Sequence, residues 1–345
     1  VGVRGLIGAI KRLMRCHLSI LLGILFLVFF FPIHLFSSDL NEEWQTIQVT
    51  GSKDQNTRKV NVYLPKEYKS SNIEKLPVLY YFHGHSSGQN EVKHIPMKEM
   101  MSLARNSGIM KPFVVVAPEL NNGFGLDSPK EGGLKNESFL IDDLMPQIER
   151  KFHLDGEKRM AMGNSMGGYV SLNLAAKYPG IYKGVVAHEP MLFESPIWLD
   201  EEKSQAHIQS MKKWNDLAAA GLKDLREVLP SAESFEANNP IVNLPKTVKA
   251  SGTKVFVSTG SLDDFKFDQG ALALKTNLTK AGAKDSKVYI REGDDHDYHV
   301  VAKGMVSGFL FLGKNQGVQT KTDFAKFLLR LEDENKLFPI LSSFV

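Results

Sequence analysis

A chain of 345 residues is long enough for one large α/β domain or two small ones. Its 43% apolar and 23% charged residues are ordinary for a globular protein and exclude global disorder. The formal net charge is +3, but four basic residues precede the first acidic one. Without Arg4, Lys11, Arg12 and Arg15 the charge falls to about −1, so the remainder lacks the basic surface with which proteins bind nucleic acid.

Residues 1–38 have the composition of an export segment. The basic residues are followed by an apolar run, 18–31, and then by a pair of small serines. This order predicts a cleaved export signal. An uncleaved signal-anchor is the alternative, because the apolar stretch up to Phe36 nearly reaches the ~20 residues that span a bilayer. Both interpretations make 39–345 a single exported domain, periplasmic or secreted, with any membrane attachment through the N-terminal segment.

The single cysteine, Cys16, lies in this leader. Residues 39–345 therefore offer no disulfide, no thiolate nucleophile and no cysteine metal ligand. A metal site at His83, His85 and His94 is an alternative, but no carboxylates lie nearby at ligand spacing. We expect neither a cofactor nor a metal ion.

Strand-like segments alternate with helical ones along 39–345. The first two, 44–50 and 59–64, alternate apolar and polar residues as half-solvated, antiparallel edge strands do. Further strand-like segments follow at 77–82, 113–117, 159–162, 184–187, 254–259 and 287–291. Apolar residues at spacings of three and four predict one amphipathic helix over 137–152. The alternation predicts an α/β fold with a mostly parallel central sheet and helices on both faces.

Residues 191–250 interrupt this alternation. The stretch is polar and helix-prone, contains Trp198 and Trp214, and lies between two predicted strands. Enzymes of the α/β class carry lid or cap insertions at such positions. We therefore predict a helical insertion at about 191–250, with a pair of surface helices that contact no substrate as the alternative.

The most informative motif is at 163–168, which read GNSMGG. A β-prone segment precedes it and a helix-prone segment follows, as in a G-x-S-x-G nucleophile elbow, which lifts a serine oxygen clear of a sheet. Side chains at Gly163 or Gly167 would collide where strand and helix nearly touch. The helix start directs N–H groups and the positive end of its dipole at developing negative charge. The motif predicts that Ser165 is a nucleophile.

A serine hydroxyl needs a base to take its proton, normally a histidine that a carboxylate orients. In the α/β-hydrolase fold the order along the chain is serine, acid, histidine. After Ser165, the predicted strand 254–259 leads to Asp263, and 287–291 leads to His296. Both side chains follow the carboxyl ends of strands, the edge at which open α/β sheets bind ligands. We predict a catalytic triad of Ser165, Asp263 and His296.

Nearby residues leave alternatives. Asp264 is adjacent to Asp263, and only one of the two can face the base. His299 follows His296 by three residues, and a helix there would bring both to one face. Glu189 is a further candidate acid, since some hydrolases take the acid from an earlier strand end.

Acyl transfer also needs hydrogen-bond donors for the oxyanion that forms on the attacked carbonyl. One predicted donor is the N–H of Met166, directly after the nucleophile. The second is expected in the loop 82–88, after an early strand, and we assign it to the N–H of His85. The side chain of His83 is expected to brace this loop.

Four segments resemble the esterase D family: 82–84, 139–146, 163–168 and 295–298. The resemblance covers about 60–312. It implies the α/β-hydrolase fold and a family that includes S-formylglutathione hydrolases, feruloyl and acetylxylan esterases, enterochelin esterases and mycolyltransferases. By this resemblance Ser165 matches the nucleophile, Asp263 the acid in a G-x-x-D turn, and His296 the base.

The chain departs from the family pattern in two places. His188 and Glu189 stand where many members have small residues, which changes the expected pocket. The S-formylglutathione hydrolases of this family are expected to be cytosolic. This chain, in contrast, has an export leader and no cysteine beyond it. The leader and the resemblance together predict an extracytoplasmic serine esterase that acts on an acylated carbohydrate or a similar small ester. The alternatives are an acyltransferase with a sugar acceptor, a glutathione-thioester hydrolase, and a catalytically silent binding module.

Overall fold

The computed structural model describes residues 43–70, 74–94, 97–211 and 213–318. The strands in these ranges are β1 (Glu43–Thr50), β2 (Thr57–Leu64), β3 (Pro77–Phe82), β4 (Val114–Pro118), β5 (Asp155–Asn164), β6 (Gly184–His188), β7 (Lys254–Gly260) and β8 (Lys287–Arg291). The leader, with Cys16, lies outside the described residues, so the predicted domain boundary after residue 38 stays a prediction.

The helices of the described residues alternate with these strands. They are α1 (Lys66–Ser70), α2 (Glu91–His94), α3 (Met97–Asn106), α4 (Asn136–Ser138), α5 (Met145–Lys151), α6 (Met166–Lys177), α7 (Glu201–Ser210), α8 (Asn215–Val228), α9 (Ala232–Ala237), α10 (Pro240–Ser251), α11 (Phe267–Lys280) and α12 (Tyr298–Asn315). No helix among these described residues is both long and apolar enough to cross a membrane.

The strands form one sheet in the order β1-β2-β4-β3-β5-β6-β7-β8. Strand β2 pairs antiparallel with both β1 and β4, whereas the pairs from β4 through β3 to β8 are parallel. Antiparallel strands can follow a short turn, while each parallel pair requires a crossover, and the helices supply it. The predicted mostly parallel sheet with two antiparallel strands at its start is confirmed. The prediction that both are edge strands is wrong for β2, because β2 pairs on both sides and only β1 lies at the edge.

Helices cover both faces of the sheet. In β3, Val78, Tyr80 and Phe82 belong to the main core cluster, which α6, α10 and α11 complete. The alternate residues Leu79 and Tyr81 are buried on the opposite face. There α12 packs on β6 and β7 and also contacts α3. Since the central strands are buried on both sides, they read as continuous apolar runs in the sequence.

The single helix predicted over 137–152 is wrong in one respect. The structure has α4, then a π-helix at Phe139–Leu144, then α5. Pro146 lies at the start of α5 and has no N–H to donate to the preceding turn, so the regular ladder is interrupted there. The predicted apolar face is nonetheless buried, with Leu140, Leu144 and Ile148 in the core.

The predicted helical insertion at 191–250 is confirmed. It begins with a 3₁₀ turn at Ile197–Leu199 and continues through α7, α8, α9 and α10 before the chain enters β7. Its two tryptophans differ in environment. Trp198 is 1% exposed and donates from Nε1 to the carbonyl of Leu229, whereas Trp214 is 38% exposed. Core packing therefore accounts for Trp198 alone.

Candidate active site

Ser165 lies at the sharp turn between β5 and α6. Its backbone dihedrals are φ 50° and ψ −116°, a strained combination for a residue with a side chain. A Cβ on Gly163 would overlap the backbone of Gly167, and one on Gly167 would overlap the carbonyl of Phe82. The chain can therefore make this turn only with glycine at both positions, as the motif predicts.

Residues at and after the end of β6 form hydrogen bonds with the backbone of Ser165. The N–H of Ser165 donates to the carbonyl of His188 at 2.9 Å, and the N–H of Met191 donates to the carbonyl of Ser165 at 2.9 Å. Both backbone groups of the serine are thus bonded across the sheet edge. This pairing stabilises the strained conformation of the serine backbone.

The structure brings the three predicted triad side chains together. His296 Nε2 lies 3.2 Å from Ser165 Oγ, and His296 Nδ1 lies 2.9 Å from Asp263 Oδ2. Phe265 and Phe267 meet the imidazole edge to face, with ring centroids 4.9 and 5.5 Å away. The base can accept a proton from the hydroxyl on one side and donate to a carboxylate on the other.

The charge of the acid is set by two opposing effects. Burial disfavours the ionised form of Asp263, but the hydrogen bond from His296, together with the charge of His296, outweighs it. The pKa of Asp263 therefore lies below its ordinary value. Its second oxygen accepts from the N–H of Phe265 at 2.8 Å, which fixes the carboxylate in place.

The distances to the His296 imidazole distinguish the candidate acids. Asp264 faces outward and accepts from Nε1 of Trp214 at 3.3 Å. Glu189 Oε2 is 3.8 Å from His296 Nδ1, beyond hydrogen-bond length, whereas Asp263 is in direct contact. The side chain of His299 lies outside the described residues.

Of the two residues predicted to donate to the oxyanion, His85 lines the same cavity as the nucleophile, and Met166 follows the nucleophile directly in the chain. Met166 begins α6, so its N–H belongs to the first turn, which has no acceptor within the helix. His85 lies in the loop after β3, and both His85 and Ser165 line one cavity. Whether these N–H groups bind an oxyanion stays a prediction.

The loop after β3 is held by buried side chains. Glu91 accepts from the N–H of Gly84 at 2.9 Å. His83 Nδ1 lies 2.8 Å from the carbonyl of Gly84, and its Nε2 accepts from the N–H of Leu120 at 3.1 Å. The expectation that His83 braces this loop is confirmed. Sequence reasoning missed Glu91, since one carboxylate in a short helix carries no distinguishing pattern.

The helical insertion is tied to the same loop. His85 Nε2 lies 2.8 Å from Oδ2 of Asp224 in α8. The side chain of His85 thus contacts the insertion, and His85 also lines the cavity. Asp224 was not found from the sequence, because the two residues are 139 positions apart.

The cavity above Ser165 has a volume of about 250 Å³ and an apolar wall. Its lining side chains outside the triad are chiefly Met191, Trp214, Leu217, Phe265, Phe267 and Val301. Trp214 stacks on Phe265 at a centroid distance of 6.3 Å. Met191, Trp214 and Leu217 come from the insertion, so its helices border the cavity. Whether they contact a substrate stays a prediction.

His188 and Glu189 have opposite orientations. His188 is buried against Ser258 and the glycines of α12, and burial followed by the charge of Arg291 lowers its pKa to about 3. Glu189 is among the residues that line the cavity. Burial, and then the charge of Asp263, raises the pKa of Glu189 to about 9. Of the two residues that depart from the family pattern, His188 and Glu189, only Glu189 lines the cavity.

One set of potential metal ligands converges within the described ranges. The ligand atoms of Glu189, Asp263 and His296 lie within 4.8 Å of one another. The Nδ1 of His296 is bonded to Asp263, and Nε2 faces Ser165, so the imidazole is already committed on both sides. This donor set fits a hydrogen-bonded triad better than a cation site.

Comparisons with known proteins agree with this geometry. The family model described as "Putative esterase" matches residues 52–329. Esterase Rv1288 of Mycobacterium tuberculosis is 33% identical over 134 residues, which are 37% of this chain and 28% of that protein. The chain therefore spans less than a third of that relative. The S-formylglutathione hydrolase of Mus musculus is 24% identical over 264 residues, 70% of this chain and 83% of that enzyme.

Solved structures support the fold. A ferulic acid esterase superposes with a TM-score of 0.62 at 19% identity, covering 80% of this chain and 100% of its own. MPT51 of Mycobacterium tuberculosis superposes with a TM-score of 0.58 at 16% identity, covering 79% and 98%. The α/β-hydrolase fold and the resemblance to the esterase D group are thereby confirmed. Since the family match covers well over half of its length, the chain belongs to this family of esterases.

Proposed function

We propose that this chain is an extracytoplasmic serine esterase that hydrolyses an acylated carbohydrate or a similar small ester through an acyl-enzyme on Ser165. The observation that carries the proposal is the hydrogen-bonded series of Ser165 Oγ, the His296 imidazole and the Asp263 carboxylate, at 3.2 and 2.9 Å. Membership of an esterase family supports the same reaction class.

In the first half-reaction, Ser165 Oγ attacks the ester carbonyl while His296 Nε2 takes the hydroxyl proton. Asp263, hydrogen-bonded to Nδ1, holds the imidazole and stabilises the imidazolium that forms. The N–H groups of Met166 and His85 donate to the oxyanion. The imidazolium then returns its proton to the alcohol oxygen, the C–O bond breaks, and the acyl group remains on the serine.

In the second half-reaction, water replaces the alcohol. His296 takes a proton from the water as it attacks the acyl carbon, and Ser165 leaves with that proton restored. The acyl group occupies the apolar cavity beneath Trp214 and Leu217 during both steps. A cavity of about 250 Å³ admits a short or flat acyl group and leaves the alcohol toward solvent.

The nucleophile is tested by Ser165→Ala. We expect kcat for a short p-nitrophenyl ester to fall about 10⁴-fold or more, with an unchanged Tm. Ser195→Ala, in an exposed position of the insertion, is the matched control and should retain wild-type turnover. Retention of more than about a tenth of the activity in Ser165→Ala would overturn the assignment.

A fluorophosphonate probe separates the esterase from a silent binding module. A reactive serine is labelled once per chain, and the label should be absent in Ser165→Ala. An unlabelled wild-type protein would exclude the proposed chemistry, because an activated serine hydroxyl attacks phosphorus by the same route.

A glutathione thioester is a second candidate substrate, favoured by the match to an S-formylglutathione hydrolase over 70% of this chain. A panel of acetyl, feruloyl and longer-chain oxygen esters, with S-formylglutathione included, decides between them by kcat/KM. A preference of more than about tenfold for the thioester would overturn the oxygen-ester proposal.

Export is proposed from the leader's order of basic residues and apolar run. The intact mass of the native protein is the test. A chain that begins near Ser38 indicates a cleaved signal, and the full mass in a membrane fraction indicates an anchor. Recovery from the cytosol would contradict both and would favour the thioester substrate.

A further inference from the structure

Glu189 is a buried carboxyl group that the proposed reaction does not use. It follows β6 directly and is 1% exposed, yet it lies beside the triad and lines the cavity. Its Oε2 accepts from the hydroxyl of Thr259 at 3.1 Å and from the N–H of Gly260 at 3.3 Å. A buried acid costs free energy unless its environment compensates it, so its presence at this position requires a physical reason.

A carboxyl oxygen of Glu189 and one of Asp263 lie within 4.8 Å of each other, and both residues are buried. Two ionised carboxylates so close repel each other and can only accept hydrogen bonds, so one proton on the pair relieves the repulsion and supplies a donor. Asp263 faces two donors, His296 Nδ1 and the N–H of Phe265, and keeps its charge. Glu189 Oε1 has no donor among the described residues. The proton therefore belongs on Glu189.

The backbone at this position supports a specific role. Glu189 has φ 45°, in the left-handed region that residues with side chains rarely adopt. Its N–H donates to the carbonyl of Ser258 at 2.7 Å, which holds that conformation. Strain at a non-glycine residue beside an active site indicates that the direction of its side chain matters.

We propose that Glu189 is a positioning residue of the triad: as a neutral carboxylic acid it donates a hydrogen bond to Asp263 and so holds that carboxylate against Nδ1 of His296. This inference rests on the proposed serine esterase function. Glu189 keeps its proton throughout the cycle, because protons move only among Ser165, His296, the leaving alcohol and the attacking water. The effect is on the orientation of the base, and hence on kcat.

The test uses two variants of the full chain with p-nitrophenyl acetate. Glu189→Met fills similar space without a donor, and we expect kcat to fall about tenfold or more, since a hydrogen bond to a charged group is lost. Glu189→Gln keeps a neutral donor and should restore kcat to within about threefold of wild type. Glu194→Gln, an exposed carboxylate on the following loop, is the matched control.

A second readout reports the proton on Glu189 directly. A carboxyl that is neutral in the folded chain but ionised in the unfolded chain takes up a proton on folding, so it contributes less stability as pH rises toward its folded pKa of about 9. Glutamine carries no such penalty. The Tm of Glu189→Gln relative to wild type should therefore be higher at about pH 8 than at about pH 5.

Other titratable groups near the pair are common to both proteins and cancel in this difference. They are Asp268 and His207, which feel the charge of Asp263, the triad imidazole of His296, and His188 beneath the sheet. The control Glu194→Gln should show a Tm difference that does not grow with pH.

The outcomes separate this inference from the proposed function. An inactive, unlabelled wild-type protein would defeat the esterase proposal itself. With an active wild type, an equal loss in Glu189→Gln and Glu189→Met would show that an ionised carboxylate is required and would overturn the inference. Activity of Glu189→Met within about threefold of wild type, or a Tm difference that is flat with pH, would also overturn it.

Discussion

Two regions of the molecule face the cavity and are built on different principles. The strand-end edge, which carries Ser165, Asp263 and His296, is held by backbone hydrogen bonds and by glycines that leave no room for a side chain. The helical insertion, residues 191–250, reaches the cavity with apolar side chains such as Trp214, which stays 38% exposed.

This difference indicates how each region should respond to substitutions. Positions at the strand-end edge are over-determined, because strand, turn and helix all fix the same atoms. On the insertion, Trp214 lines the cavity and is partly exposed, so its replacement displaces no tightly packed neighbour. We therefore expect substitutions at the edge to abolish activity or folding, and substitutions on the cavity side of the insertion to shift substrate preference.

The largest effect is expected for Asp263→Asn. The amide can hold the imidazole but favours the wrong tautomer and cannot stabilise the imidazolium, so kcat should fall about 10⁴-fold. Steady-state kinetics with a p-nitrophenyl ester measure it. Asp264→Asn removes the neighbouring charge and should change kcat less than about threefold. Similar losses in the two variants would contradict the choice of Asp263.

Each region contains a glycine whose replacement by alanine tests how closely that region is packed. Gly167→Ala would place a Cβ inside the carbonyl of Phe82, so strand β3 would have to move; we expect little soluble folded protein. Gly221→Ala, in α8, would meet only the terminal methyl of Met191 at 3.2 Å. It should be neutral or stabilising by up to ~1 kcal/mol. Chemical denaturation compares them, and a stable Gly167→Ala protein would refute the close packing.

Trp198→Ala tests the buried half of the insertion. Its ring packs edge to face on Phe193 and Phe235, so its removal leaves a large cavity. We expect unfolding to require ~3–5 kcal/mol less free energy, with kcat per folded molecule largely kept. A loss below ~1 kcal/mol would show that this core is not well packed.

Trp214→Ala should have the smallest effect on stability, below ~1 kcal/mol, because the side chain is partly exposed. It removes a ring stacked on Phe265 in the cavity wall, so KM for bulky acyl esters should rise about threefold to tenfold. The acyl-ester panel measures the shift. An equal change in KM for acetyl and feruloyl esters would argue against contact with the acyl group.

Much of the site could be predicted from the sequence because its signals are local. Short patterns show the glycines at 163 and 167 and the strand ends before Asp263 and His296. Their order along the chain then assigns the nucleophile, the acid and the base. The choice between Asp263 and Asp264 could not be made with certainty, because the direction of each side chain depends on how the turn after β7 folds.

Other features had no local signal at all. The interruption of 137–152 by a π-helix depends on how one proline is accommodated, and periodicity does not report it. The link from His85 to Asp224 joins residues in separate elements. Trp198 and Trp214 look alike in the sequence, and only packing separates a core ring from a cavity wall.

Short segments of the sequence suffice to predict the strands, the elbow and the family, because hydrophobic period, glycine placement and chain order are local properties. The tertiary structure alone decided the protonation of Glu189, since a pKa depends on which groups burial brings within a few ångströms. It likewise decided which side of the insertion faces the cavity, because that depends on the docking of helices far apart in the chain.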